Sequence, residues 1–129
     1  MRYMGIDYGT KRIGIALSDE SGTLAFPELV LLNSDDALPS IAKLVQERSV
    51  GQIVLGESLD YKNRPNALMT SIEYFKEELS KLVPVPVAYQ PEQMSSVAAE
   101  RFQGKHAKSD ASAAAIILQW YLDKVAHTK

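Results

Sequence analysis

Short apolar runs separated by turn residues occupy the first quarter of the chain. Residues 2–6 form an apolar run that ends on Asp7, and residues 13–18 run back after a glycine-containing turn. Residues 23–32 form a third run, in which Pro27 predicts a bend or an edge position in a sheet. Three consecutive strands joined by short turns predict an antiparallel meander.

Helical spacing first appears after the polar cluster at residues 33–36, whose residue types favour helix N-caps. The apolar positions of this first helix are Leu38, Ile41, Leu44 and Val45. Residues 52–56 then form a compact apolar run that is typical of a buried parallel strand. The polar residues 57–66 follow as a predicted loop at the end of that strand.

The second half of the chain continues to alternate between helix and strand. The clearest amphipathic helix has its apolar positions at Leu68, Ile72, Phe75, Leu79 and Leu82. A fifth strand is predicted at residues 85–89, a helix from Pro91 to Gly104, and a last helix with Ser109 as its N-cap. This order predicts an α/β fold: a five-stranded mixed sheet, made of a three-stranded antiparallel meander plus two parallel strands, with helices on both faces.

The composition narrows the class of protein. With 129 residues, 46% of them hydrophobic and 23% charged, the chain predicts a single domain over residues 1–129. The net charge of −2 provides no global basic field, so contacts with nucleic acid require local basic clusters. The absence of cysteine excludes disulfides, thiolate zinc sites and cysteine nucleophiles. No apolar run is long enough to span a bilayer and no signal-peptide pattern is present, so we expect a cytoplasmic protein without a membrane partner.

Four acids fall at predicted element boundaries: Asp7, Glu57, Glu92 and Asp110. Taken singly, three of them have ordinary explanations, as a loop charge or as acids in the first turn of a helix. Asp7 is harder to explain in this way, because the end of a buried strand beside glycines is a costly place for a carboxylate without a cationic partner. Converging carboxylates favour a hard divalent cation, Mg²⁺ or Mn²⁺.

Basic residues lie near the same predicted boundaries and predict contacts with a phosphate backbone. They are Lys11, Arg12, Lys62, Arg64, Lys105 and Lys108. The segment from Gly5 to Lys11 does not have the spacing of a phosphate-binding P-loop and opens a hairpin rather than a helix.

Three segments together resemble the YqgF family, also called RuvX, of the RNase H-like superfamily. They are residues 5–19 (GIDYGTKRIGIALSD), residues 53–56 (IVLG) and residues 109–122 (SDASAAAIILQWYL). The resemblance implies an RNase H-like sheet and a nuclease associated with 5′-end maturation of 16S ribosomal RNA; some members of the family were proposed to resolve Holliday junctions. It also implies that Asp7 and Asp110 are two of the metal-binding carboxylates.

The middle acid of the family site stays open between two residues. Members of the family usually have Asp-Glu-Arg-Leu-Thr-Thr where this chain has Pro-Glu-Gln-Met-Ser-Ser at residues 91–96, which keeps Glu92. They usually have Gly-Leu-Pro where this chain has Gly-Glu-Ser at residues 56–58, which introduces Glu57. Both glutamates are therefore candidate ligands.

The prediction is a metal-dependent phosphodiesterase that acts on structured RNA or branched DNA, with ribosome precursors as partners, as a monomer or a homodimer. A resolvase-like endonuclease is one alternative. A second is a non-catalytic protein that binds nucleic acid or assists ribosome assembly on the same scaffold. An ATPase related to actin, which shares an Asp-x-Gly-Thr motif, is disfavoured because that architecture needs two such domains.

Overall fold

The computed structural model of the protein describes residues 1–58, 67–92 and 107–127, with residues 92, 107–109 and 127 described by their backbone alone. The strands are β1 (Arg2–Tyr8), β2 (Arg12–Ser18), β3 (Ala25–Leu32), β4 (Val50–Ser58) and β5 (Val87–Glu92). The helices are α1 (Ala37–Glu47), α2 (Leu68–Leu82) and α3 (Ala107–His127). No helix within these described ranges is long and apolar enough to cross a membrane.

The five strands form one mixed sheet in the order β3-β2-β1-β4-β5. Strands β1, β2 and β3 pair antiparallel, whereas β4 pairs parallel to both β1 and β5. The predicted meander with two parallel strands is confirmed. Pro27 lies on the edge strand β3, opposite Ala16 and next to a register shift, where its missing N–H interrupts no inner ladder.

One face of the sheet carries the large aliphatic residues. Side chains alternate between the two faces of a strand, so Ile6, Ile13, Ile15, Ile53 and Leu55 share this face. They are fully buried and pack against the apolar sides of α1 and α2. This face contains most of the hydrophobic core.

The opposite face is covered by α3 and is built from small residues. Ala16 and Val54 of the sheet pack against Ala114 and Leu118 of the helix. A Cβ atom added to Gly5 would lie 2.7 Å from Leu118 Cβ, so the helix packs directly on the strand backbone. The prediction of helices on both faces is thus confirmed.

Three predicted boundaries in the parallel half are wrong. Strand β4 extends to Ser58, so Glu57 lies in a strand and not in the predicted loop. The fifth strand begins at Val87 rather than at residue 85, and Pro91 continues it instead of opening a helix. The physical reason is pairing, because Glu57 lies opposite Pro91 and extends the ladder between β4 and β5. The rest of the predicted helix, residues 93–104, lies outside the described residues.

The predicted N-cap of the last helix is also wrong. Helix α3 begins at Ala107, so Ser109 lies within its first turn. The two preceding residues, Ala107 and Lys108, are good helix formers and extend the helix towards its N-terminus.

Candidate metal and nucleic-acid site

Asp7 lies near the end of β1 on the face covered by α3. It is opposite Gly14 of β2 and two residues beyond Gly5, and both glycines contact α3, which assigns all three residues to one face. Asp7 is only 3% exposed. Among the described residues, Asp7 and Ser18 are the polar or charged ones that are buried. Burying a carboxylate is costly unless other groups compensate its charge, so Asp7 is a candidate functional residue.

The start of α3 lies directly over Gly14. A Cβ atom at Gly14 would be 2.1 Å from the carbonyl oxygen of Asp110, so no other residue fits here without moving the helix. Because Gly14 is also the cross-strand neighbour of Asp7, this close approach brings Asp110 to the same end of the sheet as Asp7. The first motif and the last helix therefore each supply a carboxylate-bearing residue at this end of the sheet.

Arg12 forms an ion pair with Asp110. Its Nε donates a hydrogen bond to Asp110 Oδ2 at 2.9 Å, and the two side chains are 47% and 19% exposed. Asp110 lies in the first turn of α3, where the helix dipole also favours a negative charge. The cation that meets this carboxylate in the structure is thus a residue predicted to contact nucleic acid.

The turn between β1 and β2 is held in place by Asn33. Its side-chain Nδ2 donates to the carbonyl oxygen of Gly9 at 2.8 Å, and its backbone N–H donates to the carbonyl oxygen of Lys11 at 2.9 Å. The turn presents the exposed residues Lys11 and Arg12 beside the acidic site. The sequence pattern indicated Asn33 only as a member of an N-cap cluster. Its hydrogen bond to Gly9 joins residues 24 positions apart, and no local sequence pattern predicts such a contact.

The structure does not bring Glu57 together with Asp7. The pairing of β1 with β4 ends at Ile6 and Leu55, so the residue beside Asp7 is Gly56 and Glu57 falls in the opposite row. The charge of Glu57 acts instead on Tyr89, which packs against the α1 and α2 core. Burial raises the pKa of the Tyr89 hydroxyl, and the charges of Glu73 and Glu57 raise it further.

The other predicted site residues are described only in part. The backbone of Glu92 pairs with Ser58 at the end of β5, and its side chain lies outside the described residues. Lys108 lies in the first turn of α3 by its backbone. Lys62, Arg64 and Lys105 lie outside the described residues.

The residues around Asp7 fit a hard divalent cation in their chemistry. Asp7 and Asp110 supply carboxylate oxygens, the ligands that Mg²⁺ and Mn²⁺ prefer. Within the described ranges, no group of three or more His, Cys, Asp or Glu side chains is gathered. A complete ligand shell therefore needs oxygens besides these two carboxylates, from other side chains or from water.

Solved structures of other proteins have the same fold. T. thermophilus RuvC in complex with a Holliday junction substrate superposes with a TM-score of 0.60 and 17% identity, covering 97% of this chain and 95% of that chain. The fowlpox virus Holliday junction resolvase superposes with a TM-score of 0.56 and 14% identity, covering 96% and 99%. The chain therefore has the RuvC-like variant of the RNase H-like fold.

Sequence comparison adds the family. Residues 1–124 match the profile of the RuvX family, described as "Holliday junction resolvase", and the chain belongs to this family. A relative from Anaeromyxobacter sp. is 38% identical over 133 residues, covering 95% of this chain and 97% of that protein. A relative from Streptococcus equi subsp. equi is 33% identical over 136 residues, covering 95% of this chain and 98% of that protein. Both carry the name "Putative pre-16S rRNA nuclease", and the family predicted from the three sequence segments is confirmed.

Proposed function

We propose that this protein is a divalent-metal-dependent nuclease that cleaves phosphodiester bonds in the 5′-end maturation of pre-16S ribosomal RNA in the cytoplasm. The observation that carries the proposal is the buried carboxylate of Asp7, at the same end of the sheet as Asp110. Membership of the RuvX family and the names of its relatives support the substrate class.

Asp7 and Asp110 would hold Mg²⁺ or Mn²⁺, with Glu92 as the third acid. Glu92 is preferred to Glu57 because the register places Glu57 in the row that faces α1 and α2. The bound ion would activate a water molecule for attack on phosphorus and neutralise charge on the phosphate oxygens.

Basic side chains of the protein would position the phosphate backbone of the substrate. Lys11 and Arg12 are exposed on the turn beside the two carboxylates, within reach of a strand of nucleic acid laid across this end of the sheet. Arg12 already contacts Asp110, so it can orient that carboxylate and contact a neighbouring phosphate with its other guanidinium donors. Local basic residues of this kind compensate for the net charge of −2.

Cleavage assays with Mg²⁺ test the proposal on two substrates, a pre-16S fragment that carries its 5′ extension and a four-way DNA junction. We expect the wild type to process the RNA and Asp7→Asn to lose at least about 100-fold in rate, because the amide removes the charge that binds the ion. Glu57→Gln is the matched control and should stay near the wild-type rate. Wild-type rates in Asp7→Asn would show that Asp7 has no catalytic role.

Resolution of four-way junctions is the second candidate. Over nearly its whole length, the chain has the fold of a RuvC whose structure was solved with a Holliday junction. The description of the RuvX family also names Holliday junction resolution. Symmetric cleavage of the junction with no processing of the RNA would favour this candidate. Metal-independent binding without turnover, unaffected by Asp7→Asn, would instead favour a non-catalytic role in ribosome assembly.

A further inference from the structure

Two glycines flank Asp7 in its row across the sheet. Gly14 of β2 lies on one side, and the space above it is filled by the start of α3. Gly56 of β4 lies on the other side, one residue beyond the last pair between β1 and β4. Beyond Gly56, the same row continues to Gln90 of β5, which is the direct partner of Gly56.

Gln90 belongs to the face that α3 covers. Its neighbour Tyr89 and the alternate residue Val87 pack against the α1 and α2 core, so strand alternation assigns Gln90 to the other face. Neighbouring strands are about 4.8 Å apart, which puts the Cα atoms of Asp7 and Gln90 about 10 Å apart with only Gly56 between them. Two side chains that lean towards each other over a glycine can share one ion across this distance.

The amide oxygen of Gln90 lacks a partner. The side chain as a whole is half-buried, but Oε1 is buried and accepts no hydrogen bond in the described structure. Leaving a buried amide oxygen without a donor is unfavourable, and most such atoms in folded proteins are paired. An unpaired oxygen in the row of a buried carboxylate is suited to a ligand that arrives from outside the chain.

We propose that Gln90 Oε1 is an oxygen ligand of the divalent cation held by Asp7 and Asp110, either directly or through one of the ion's water molecules. The inference rests on the proposed metal-dependent function. Carbonyl oxygens, like carboxylates, suit Mg²⁺ and Mn²⁺. The position on β4 next to Asp7 is Gly56, which has no side chain to offer, so a long neutral side chain from β5 completes the oxygen set.

Mn²⁺ binding, measured by calorimetry on the full chain without nucleic acid, tests this role apart from activity. Gln90→Met keeps an unbranched side chain of similar length but replaces the carboxamide with a thioether, whose soft sulfur hard cations disfavour. We expect Gln90→Met to weaken Mn²⁺ binding about 10-fold, in the range seen when groups around a metal site are lost. Gln90→Glu should bind Mn²⁺ more tightly than the wild type.

Gln52→Met is the matched control, because Gln52 also lies on the α3 face but its amide Nε2 already donates to the Tyr121 hydroxyl at 2.8 Å. It should leave Mn²⁺ affinity unchanged. Thermal unfolding without metal separates binding from folding, since a Gln90→Met variant that melts like the wild type but binds Mn²⁺ more weakly has lost a ligand and not the fold.

Asp7→Asn separates the two proposals. Loss of Mn²⁺ binding in Asp7→Asn together with wild-type affinity in Gln90→Met would overturn the role of Gln90 and leave the metal site intact. Equal affinity in the wild type and Asp7→Asn would overturn the metal site itself, and the role of Gln90 with it.

Discussion

The two faces of the sheet differ in side-chain size and in what they contribute. The face covered by α1 and α2 carries large, fully buried aliphatic residues such as Ile13 and Ile15. The face covered by α3 carries Gly5, Gly14 and Ala16, so that the helix backbone approaches the sheet closely. Apolar burial on the first face provides most of the stability, while the small residues of the second leave room for polar groups at the end of β1.

The ion pair between Arg12 and Asp110 does not explain the geometry of the second face. Arg12 is 47% exposed, and an exposed ion pair contributes about 0–1 kcal/mol to stability. Asp110 is positioned mainly by the packing of its own backbone on Gly14, which is a steric constraint that salt does not screen. The position of Asp110 therefore depends on Gly14 having no side chain.

Enlarging that position is the change with the largest expected effect. Gly14→Ala would place its Cβ 2.1 Å from the Asp110 carbonyl oxygen, which is backbone and cannot rotate away. We expect a loss of about 1–3 kcal/mol in the free energy of unfolding, from overpacking, and a loss of metal binding because Asp110 moves. Urea unfolding and Mn²⁺ calorimetry on the same variant measure both effects.

Ile15→Val is the matched control, on the same strand one residue further and on the opposite face. It should cost about 0.5–1.5 kcal/mol and leave Mn²⁺ affinity unchanged. If Gly14→Ala kept wild-type metal affinity, or if Ile15→Val lost it, the division of roles between the two faces would be wrong.

Local patterns were sufficient to predict the sheet and the helices α1, α2 and α3, because the short apolar runs of β1 and β2 and the helical spacing in α2 are strong local signals. The same signals placed four acids at element boundaries, and the family resemblance singled out Asp7 and Asp110 among them. The register across the sheet depends on residues far apart in sequence, and no local pattern encodes it.

The end of β4 is an example of a feature that local patterns did not predict. A strand that ends at Gly56 leaves Glu57 free to turn towards the site, whereas a strand that extends to Ser58 fixes Glu57 on the opposite row. Pro91 shows a similar ambiguity, because proline suits both the first turn of a helix and an edge strand. Pairing with β4 decides between them.

A smaller effect, on the pKa of Tyr89, tests whether Glu57 lies on the sheet face that α1 and α2 cover. Burial raises the pKa of Tyr89, and the charges of Glu73 and Glu57 add to the shift, so Glu57→Gln should lower that pKa towards its ordinary value of 10.0 without reaching it. The neutral hydroxyl is the form that the fold favours. Its contribution to stability is complete below the ordinary pKa and is lost as the pH rises through the raised pKa, so the variant should lose it at a lower pH.

NMR of the tyrosine Cζ carbons, titrated through alkaline pH, measures this shift for Tyr89. Glu77→Gln is the control, because Glu77 acts on the pKa of Lys81 and is not among the causes of the Tyr89 shift. An unchanged Tyr89 pKa in Glu57→Gln would mean that Glu57 does not face α2, and Glu57 would again be a candidate ligand beside Asp7.

The most direct test of the central claim is a crystal structure with Mn²⁺, located by its anomalous scattering. We predict an ion on the α3 face with oxygens of Asp7 and Asp110 in its shell, directly at about 2.0–2.2 Å or through one water. An ion bound by Glu57 on the other face, or a fully loaded crystal in which Asp7 does not contact the ion, would contradict it.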